Sequence, residues 1–213
     1  MAVRTFALIS PTTELEAVNI MLSAIGESPI SSFEEITADV AIARSVLTEV
    51  CKAVQLEGWQ WNTEDDYPLI PDATTGRIKL NPNTVRVHFN HPQDEELVIR
   101  GGYIYDRKRH SFLFPSDYSV KATITILLGF EDLPESARRY TVIRAARVFQ
   151  ERVVGSSTLS TFSEQDEIRA RVTMQGEERR ADRPNILTGT SSPTGTWDAR
   201  TTLMNRGRRY GIR

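Results

Sequence analysis

The chain has 213 residues, 39% of them hydrophobic, and a formal net charge of −2 at pH 7. That is enough apolar material for one large domain or two small ones, and no stretch approaches the ~18 consecutive apolar residues of a membrane-spanning helix. The single cysteine, Cys51, excludes an internal disulfide and a multi-cysteine metal site.

The opening MAVRTFALISP is too short and too polar for a signal peptide, so cytoplasmic synthesis is expected. The small net charge hides an asymmetry. Residues 1–58 carry three basic and eight acidic side chains, a balance of −5; residues 134–213 carry fifteen arginines and nine acidic side chains, a balance of +6; the middle holds −3. Arginine is favoured at ion-pair interfaces and for phosphate contact, so the two ends are expected to meet each other or different partners.

Thr13 followed by Glu16 is a capping box that starts a first helix near Glu14. Val18, Met21, Leu22 and Ile25 recur at helical spacing, and Gly26 with Pro29 stops the helix. A second helix, capped by Thr37 or Asp39, carries an apolar stripe of Val40, Ala43, Leu47, Val50 and Val54 up to Gly58. It is about 30 Å long. Helices joined by so short a loop are expected to pair as an antiparallel hairpin, with Cys51 as a buried, inert thiol in the stripe.

From Trp59 the helical period gives way to short β-branched and aromatic runs at Arg77–Leu80, Thr84–Phe89, Leu97–Arg100, Tyr103–Asp106 and Val120–Leu128. Gly101-Gly102 between two such runs marks a hairpin, and the punctuating prolines and glycines indicate a small antiparallel sheet. Helix returns after Asp132-Leu133-Pro134-Glu135, where an Asp cap, an early proline and a glutamate mark a start. The third helix is expected to reach about Val154, with Ala137, Tyr140, Ile143, Ala146 and Phe149 or Val153 on its apolar face. A fourth, more polar helix is expected over 163–180, with Ile168 and Val172 inward and Glu167 paired to Arg171 at i,i+4. From Arg183 onward the composition cannot build a core. That tail reads as extended, either staying mobile or ordering on a partner, in which case Trp197, Leu203 and Tyr210 would be anchors and Arg206, Arg208 and Arg209 charge contacts.

Catalytic chemistry finds little footing. Glu64-Asp65-Asp66 is the densest carboxylate cluster, but a glycan hydrolase needs two carboxylates on opposite sides of a bond, so a solvated turn is the expectation. His88, His91 and His110 lack a diagnostic metal-ligand spacing and read as separate surface residues. No nucleophile elbow, phosphate-binding glycine loop or zinc-protease motif occurs. The arginines of the third helix and tail would suit sequence-independent nucleic-acid contact, although interleaved acidic residues fit ion pairing equally well.

Ala17-Val18-Asn19 with Ile25-Gly26-Glu27-Ser28-Pro29, Gly58-Trp59 with Trp61-Asn62 and Glu64, Arg100 to Arg107 (RGGYIYDR), and Leu133-Pro134-Glu135 occur in that order. In that order and spacing, over about residues 14–180, the chain resembles the tail tubular protein A family of T7-like short-tailed bacteriophages. The sequence after Arg183 lies outside the resemblance. The fold class expected from both readings is α+β: an α-helical bundle of two helix pairs with an inserted small antiparallel β domain and an extended C-terminal tail. Its divisions fall at 1–58, 59–130, 131–182 and 183–213.

The resemblance implies a structural head-to-tail adaptor of the virion tail: a dodecameric ring between the portal and the hexameric nozzle, lining the DNA ejection channel and helping to anchor tail fibres. It implies no catalysis, cofactor or metal. Its partners would be further copies of the chain, the portal protein, the nozzle hexamer, tail fibres, and double-stranded DNA held weakly in transit. Partner-binding residues are expected at Tyr103, Tyr105 and Arg107 in the hairpin and at Trp197, Leu203, Arg206, Arg208, Arg209 and Tyr210 in the tail. The alternatives are a virion-associated glycan hydrolase using Glu64 and Asp66, or a non-specific DNA-binding module.

Overall fold

The computed structural model describes residues 10–34, 37–89, 96–155 and 157–181, the backbone alone over 157–163 and at 181. Helices α1 (Glu14–Ile25), α2 (Ala38–Gln55), α3 (Glu135–Val153) and α4 (Ser157–Ala181) flank strands β1 (Thr63–Leu69), β2 (Thr84–Phe89), β3 (Leu97–Arg100), β4 (Tyr103–Asp106) and β5 (Val120–Ile126). The fold is α+β. Contacts divide the described residues into a helical unit, up to Val54 with 129–177, and a β unit, 55–128 with 178–181.

In the helical unit, the Thr13 hydroxyl accepts from the Glu16 amide at 3.2 Å while the Glu16 carboxylate accepts from the Thr13 amide at 2.9 Å, so both halves of the capping box form. Gly26, at φ 86°, closes α1 in the left-handed conformation that a side chain would resist. Asn19 then fixes the chain beyond this stop. Its amide donates to the Ile30 carbonyl at 3.0 Å and accepts from the Ile30 N–H at 2.9 Å, folding the Gly26–Pro29 turn back onto α1. Thr37 caps α2, its hydroxyl accepting from the Val40 amide at 3.3 Å.

Helix α1 packs closely against α3 and also meets α2, through Arg44 Nε donating to Glu14 at 3.1 Å. Polar groups far apart in sequence hold α1 to α3. The Glu135 carboxylate at the start of α3 accepts from the Thr12 amide at 2.8 Å and its hydroxyl at 2.6 Å. Arg138 donates to the Thr12 carbonyl at 2.8 Å, to Leu133 O at 2.8 Å and to Glu131 O. The chain before α1 is thereby tied to the first turn of α3, and Ala17, Val18, Met21, Leu22, Tyr140 and Phe149 lie buried in this unit. No Asp132 cap forms: Pro134 occupies the N-cap position without a side-chain bond. The buried side of α3 runs through Ala137, Tyr140, Thr141, Val142, Ala145, Phe149 and Gln150, leaving Ile143 and Ala146 only partly covered and Val153 exposed.

Helix α4 starts six residues earlier than expected and faces the other way. Ala170 and Met174 are buried, whereas Ile168 and Val172 are 57% and 62% exposed. The expected Glu167–Arg171 pair is replaced by contacts to α3, with Glu167 accepting from Arg147 Nε at 2.6 Å and lying 3.7 Å from Arg144. Those two salt bridges rotate α4 about its axis and turn Ile168 and Val172 outward. The Glu167 hydrogen bond and, less strongly, Glu151 raise the pKa of Arg147 against the opposing effect of burial, so its charge is fixed.

In the β unit, β1, β5 and β2 form an antiparallel sheet in that order, and β3 and β4 form a hairpin. The register pairs Thr63 with Thr125 and Tyr67 with Ala122, and Asp66 at φ 53° sits in the irregularity between. Glu64-Asp65-Asp66 therefore belongs to a strand and not to a turn. The 77–80 run is not a full strand: a bridge at Lys79 and bonds from Ile104 N–H to Ile78 O and Leu80 N–H to Gly102 O lay it beside β4. Leu69, Ile78, Leu80, Leu97, Ile104, Phe114, Val120, Ala122 and Ile124 make the core of this unit.

Two buried carboxamides close the unit. Gln55 donates to the Leu128 carbonyl at 3.0 Å and accepts from its N–H at 2.7 Å, imitating a strand pair. Asn62 accepts from the Trp59 N–H at 2.8 Å and donates to Gln55 O at 2.9 Å and Ile126 O at 3.1 Å. Replacing Asn62 by Ala removes three hydrogen bonds at a buried site, although Gln55 O keeps the Gly58 N–H at 3.1 Å, and should destabilise the protein by about 2 kcal/mol in urea unfolding.

Candidate interaction surfaces

The β3–β4 hairpin is built by alternation. Leu97 and Ile104 point into the core, so Val98, Arg100, Tyr103 and Tyr105 face outward. Gly101 and Gly102, at φ 59° and 79°, allow the two-residue turn between the strands. The segment beside β4 adds Arg77 and Lys79, both exposed, in alternation with buried Ile78 and Leu80.

Guanidinium groups and rings alternate across this outer face. The Arg100 guanidinium carbon lies 4.0 Å from the Tyr105 ring centre, and that of Arg77 lies 5.9 Å from Tyr103 and 5.8 Å from Phe112. Tyr105 and Phe112 meet edge to face at 4.8 Å. Stacking restrains the arginines while leaving their N–H edges available, which is how Arg and Tyr serve protein–protein contacts. Beyond β4, the Asp106 carboxylate accepts from the Lys108 and Arg109 amides at 2.8 Å and 3.0 Å, shaping a turn that exposes Arg107, Lys108, Arg109 and His110.

The structure thus brings Tyr103 and Tyr105 onto one face and places Arg107 just past its edge. Arg100 joins that face from β3 through the hairpin itself, whereas Arg77 and Phe112 complete it without a signal of their own in the sequence, because their meeting depends on the 77–80 segment lying beside β4. Trp197, Leu203, Arg206, Arg208, Arg209 and Tyr210 lie outside the described residues. His88 stands on β2 and His110 in the turn after β4, while His91 is outside the described residues. Among the described residues no group of three or more His, Cys, Asp or Glu is placed to hold a metal. Asp65 on β1 accepts from the Thr123 hydroxyl at 2.8 Å, and Cys51 is buried.

On the opposite strands of the β unit an open pocket of about 310 Å³ is lined by Glu57, Gly58, Trp59, Gln60, Thr63, Arg86, His88, Thr123 and Thr125. No helix among the described residues is long and apolar enough to cross a membrane.

Comparison with known proteins gives two findings. Residues 15–184 match the sequence family described as tail tubular protein. The chain is also 28% identical over 155 residues to tail tubular protein A of Klebsiella phage KP34, an alignment covering 72% of this chain and 81% of the relative.

The glycine turn is the local device on which the aromatic and arginine face depends. Gly101→Ala should cost about 1–2 kcal/mol of stability because it forces a side chain into the left-handed region. Gly101→Asn should cost less, and urea unfolding of the two variants side by side would check the order.

Proposed function

The chain belongs to the tail tubular protein family and is a structural component of a bacteriophage tail; from that premise we propose that it is the adaptor between head and tail. Twelve copies form a ring that joins the portal to a six-fold nozzle and leaves a channel for DNA. The observation that carries this reading is the extent of the match, residues 15–184, which runs from α1 through both the β unit and α4. The match therefore spans sequence from both units of this chain and not one module of it.

The work of such a protein is done by surfaces. Tyr103 and Tyr105, backed by Arg77 and Arg100, present the composition of a protein-binding face, and Arg107 extends it. We assign this face to the nozzle or fibre side, and the tail residues Trp197, Leu203, Arg206, Arg208, Arg209 and Tyr210 to the portal. The exposed Ile168 and Val172 of α4 suit contact with a neighbouring copy. No catalytic role is assigned. Transit of DNA requires a channel that does not grip it, so binding to duplex DNA should be weak and vanish by about 0.2 M salt.

Mass measurement of the purified chain, alone and mixed with portal rings, tests the assembly. A twelve-fold species should appear in the mixture; a chain that stays monomeric with portal present would overturn the adaptor reading. Truncation after Arg183 should abolish portal association while leaving the unfolding transition in place, and full retention of binding would remove the tail from the interface.

A further inference from the structure

The outward face of the three-stranded sheet carries a polar row. Register sets Thr63 of β1 and Arg86 of β2 on either side of Thr125 of β5, and His88 beside Thr123 in the next row. Gly58 passes above the first row at φ 80°. The position its absent Cβ would occupy is 3.5 Å from Arg86 Nη1, 3.7 Å from Thr125 Oγ1 and 3.8 Å from Thr63 Oγ1. Three polar atoms from three strands therefore converge beneath a residue that has no side chain to fill the space.

Two further features mark this place. Arg86 is held in position by its Nη2, which donates to the Leu56 carbonyl at 2.8 Å. The Thr63 hydroxyl oxygen is buried with no hydrogen-bond partner among the described residues, although a buried hydroxyl ordinarily finds one. Both residues line the pocket of about 310 Å³, which Trp59 and His88 also wall.

We propose that this pocket binds a phosphate group. The guanidinium supplies the charge, and the hydroxyls of Thr63 and Thr125 supply donors to further oxygens. Donors rising from three separate strands form a non-planar set, which suits a tetrahedral oxyanion better than a flat carboxylate. The carboxylate of Asp65 is occupied by the Thr123 hydroxyl, and Glu57 also lines the pocket. Those charges temper the field, so the hydroxyl contacts rather than long-range attraction set the selectivity.

Broadening of the 31P resonance of inorganic phosphate, titrated with the full chain at constant ionic strength, tests the site. The wild type should broaden the line saturably. Thr63→Val removes one hydroxyl at nearly constant volume and should weaken binding roughly ten-fold or more. The same variant should keep or raise the unfolding midpoint in phosphate-free buffer, because the hydroxyl it deletes has no partner among the described residues. Arg86→Lys, which keeps the charge but loses the fork, should weaken binding as well. Competition by glycerol 3-phosphate or by a thymidine dinucleotide would assign the natural source to a phosphomonoester or to a phosphodiester. Broadening that is absent, or that persists unchanged in Thr63→Val, would overturn the proposal, as phosphate would then reside on surface arginines or nowhere. A lowered midpoint of Thr63→Val in phosphate-free buffer would overturn it too, since the hydroxyl would then serve the fold through water.

Discussion

The β unit depends on its two ends being held together, and two buried side-chain amides do this. Gln55 and Asn62 are each 1% exposed, and between them they satisfy backbone groups of Gln55, Trp59, Ile126 and Leu128. An excursion of more than seventy residues closed by so few bonds costs loop entropy that grows only slowly with length. What is costly is the alternative, since backbone groups out of water would lose these partners, and of the four only Gln55, whose carbonyl also accepts from the Gly58 N–H, has a further bond to fall back on within this closure. A carboxamide is suited to the task because it donates and accepts at once, which neither a carboxylate nor a hydrocarbon can do. Once the ends are joined, β5 lies between β1 and β2, and the order β1-β5-β2 results from the last strand returning to the first.

Local signals in the sequence are legible and non-local ones are not. The capping box at Thr13 and Glu16, the left-handed stop at Gly26 and the glycine pair of the hairpin all act within a few residues, and each forms as its pattern indicates. Strand β1 is hidden because Glu64-Asp65-Asp66 has the composition of a turn; pairing with β5 overrides that preference. The pairing of α1 with α3 is likewise hidden, since it rests on Thr12 meeting Glu135 and Arg138 from more than a hundred residues away. Asn19, Asn62 and Glu135 stand inside the motifs that carry the family resemblance. Their roles as clamp on Ile30, closure of the β unit and anchor of Thr12 give those motifs a structural reason.

The arginine-rich second half also takes on a different meaning. Arg138 is spent on backbone carbonyls and Arg147 on Glu151 and Glu167, while Arg152 pairs with Glu49 at 2.8 and 2.9 Å. Arg44 joins Glu14 at 3.1 Å and stacks on Phe33. The bond from Arg152 holds the Glu49 carboxyl below its usual range, so the little stability this exposed pair adds is present above the ordinary carboxylate pKa and lost as acid protonates Glu49. A basic stripe engaged in this way has less charge to offer a nucleic acid than its composition implies. The charge asymmetry between the two ends of the chain is in part an internal pairing of α3 with α2, as the Arg152–Glu49 bridge illustrates.

Helix α4 turns this argument outward. The bonds from Arg147 and Arg144 to Glu167 fix which side of α4 is buried, and they select the small Ala170 with Met174 over the larger Ile168 and Val172. In an isolated monomer that choice is unfavourable, because two β-branched side chains at i,i+4 spacing stay in water while alanine takes the interior. Exposure of one such residue is ordinary, but a pair aligned on one face of a polar helix is a small apolar stripe. The cost is recovered if another protein surface covers the stripe, as a ring of neighbouring copies would. The ion pairs that orient α4 would then have two consequences at once: they close the helical unit and they present its apolar edge to the next subunit.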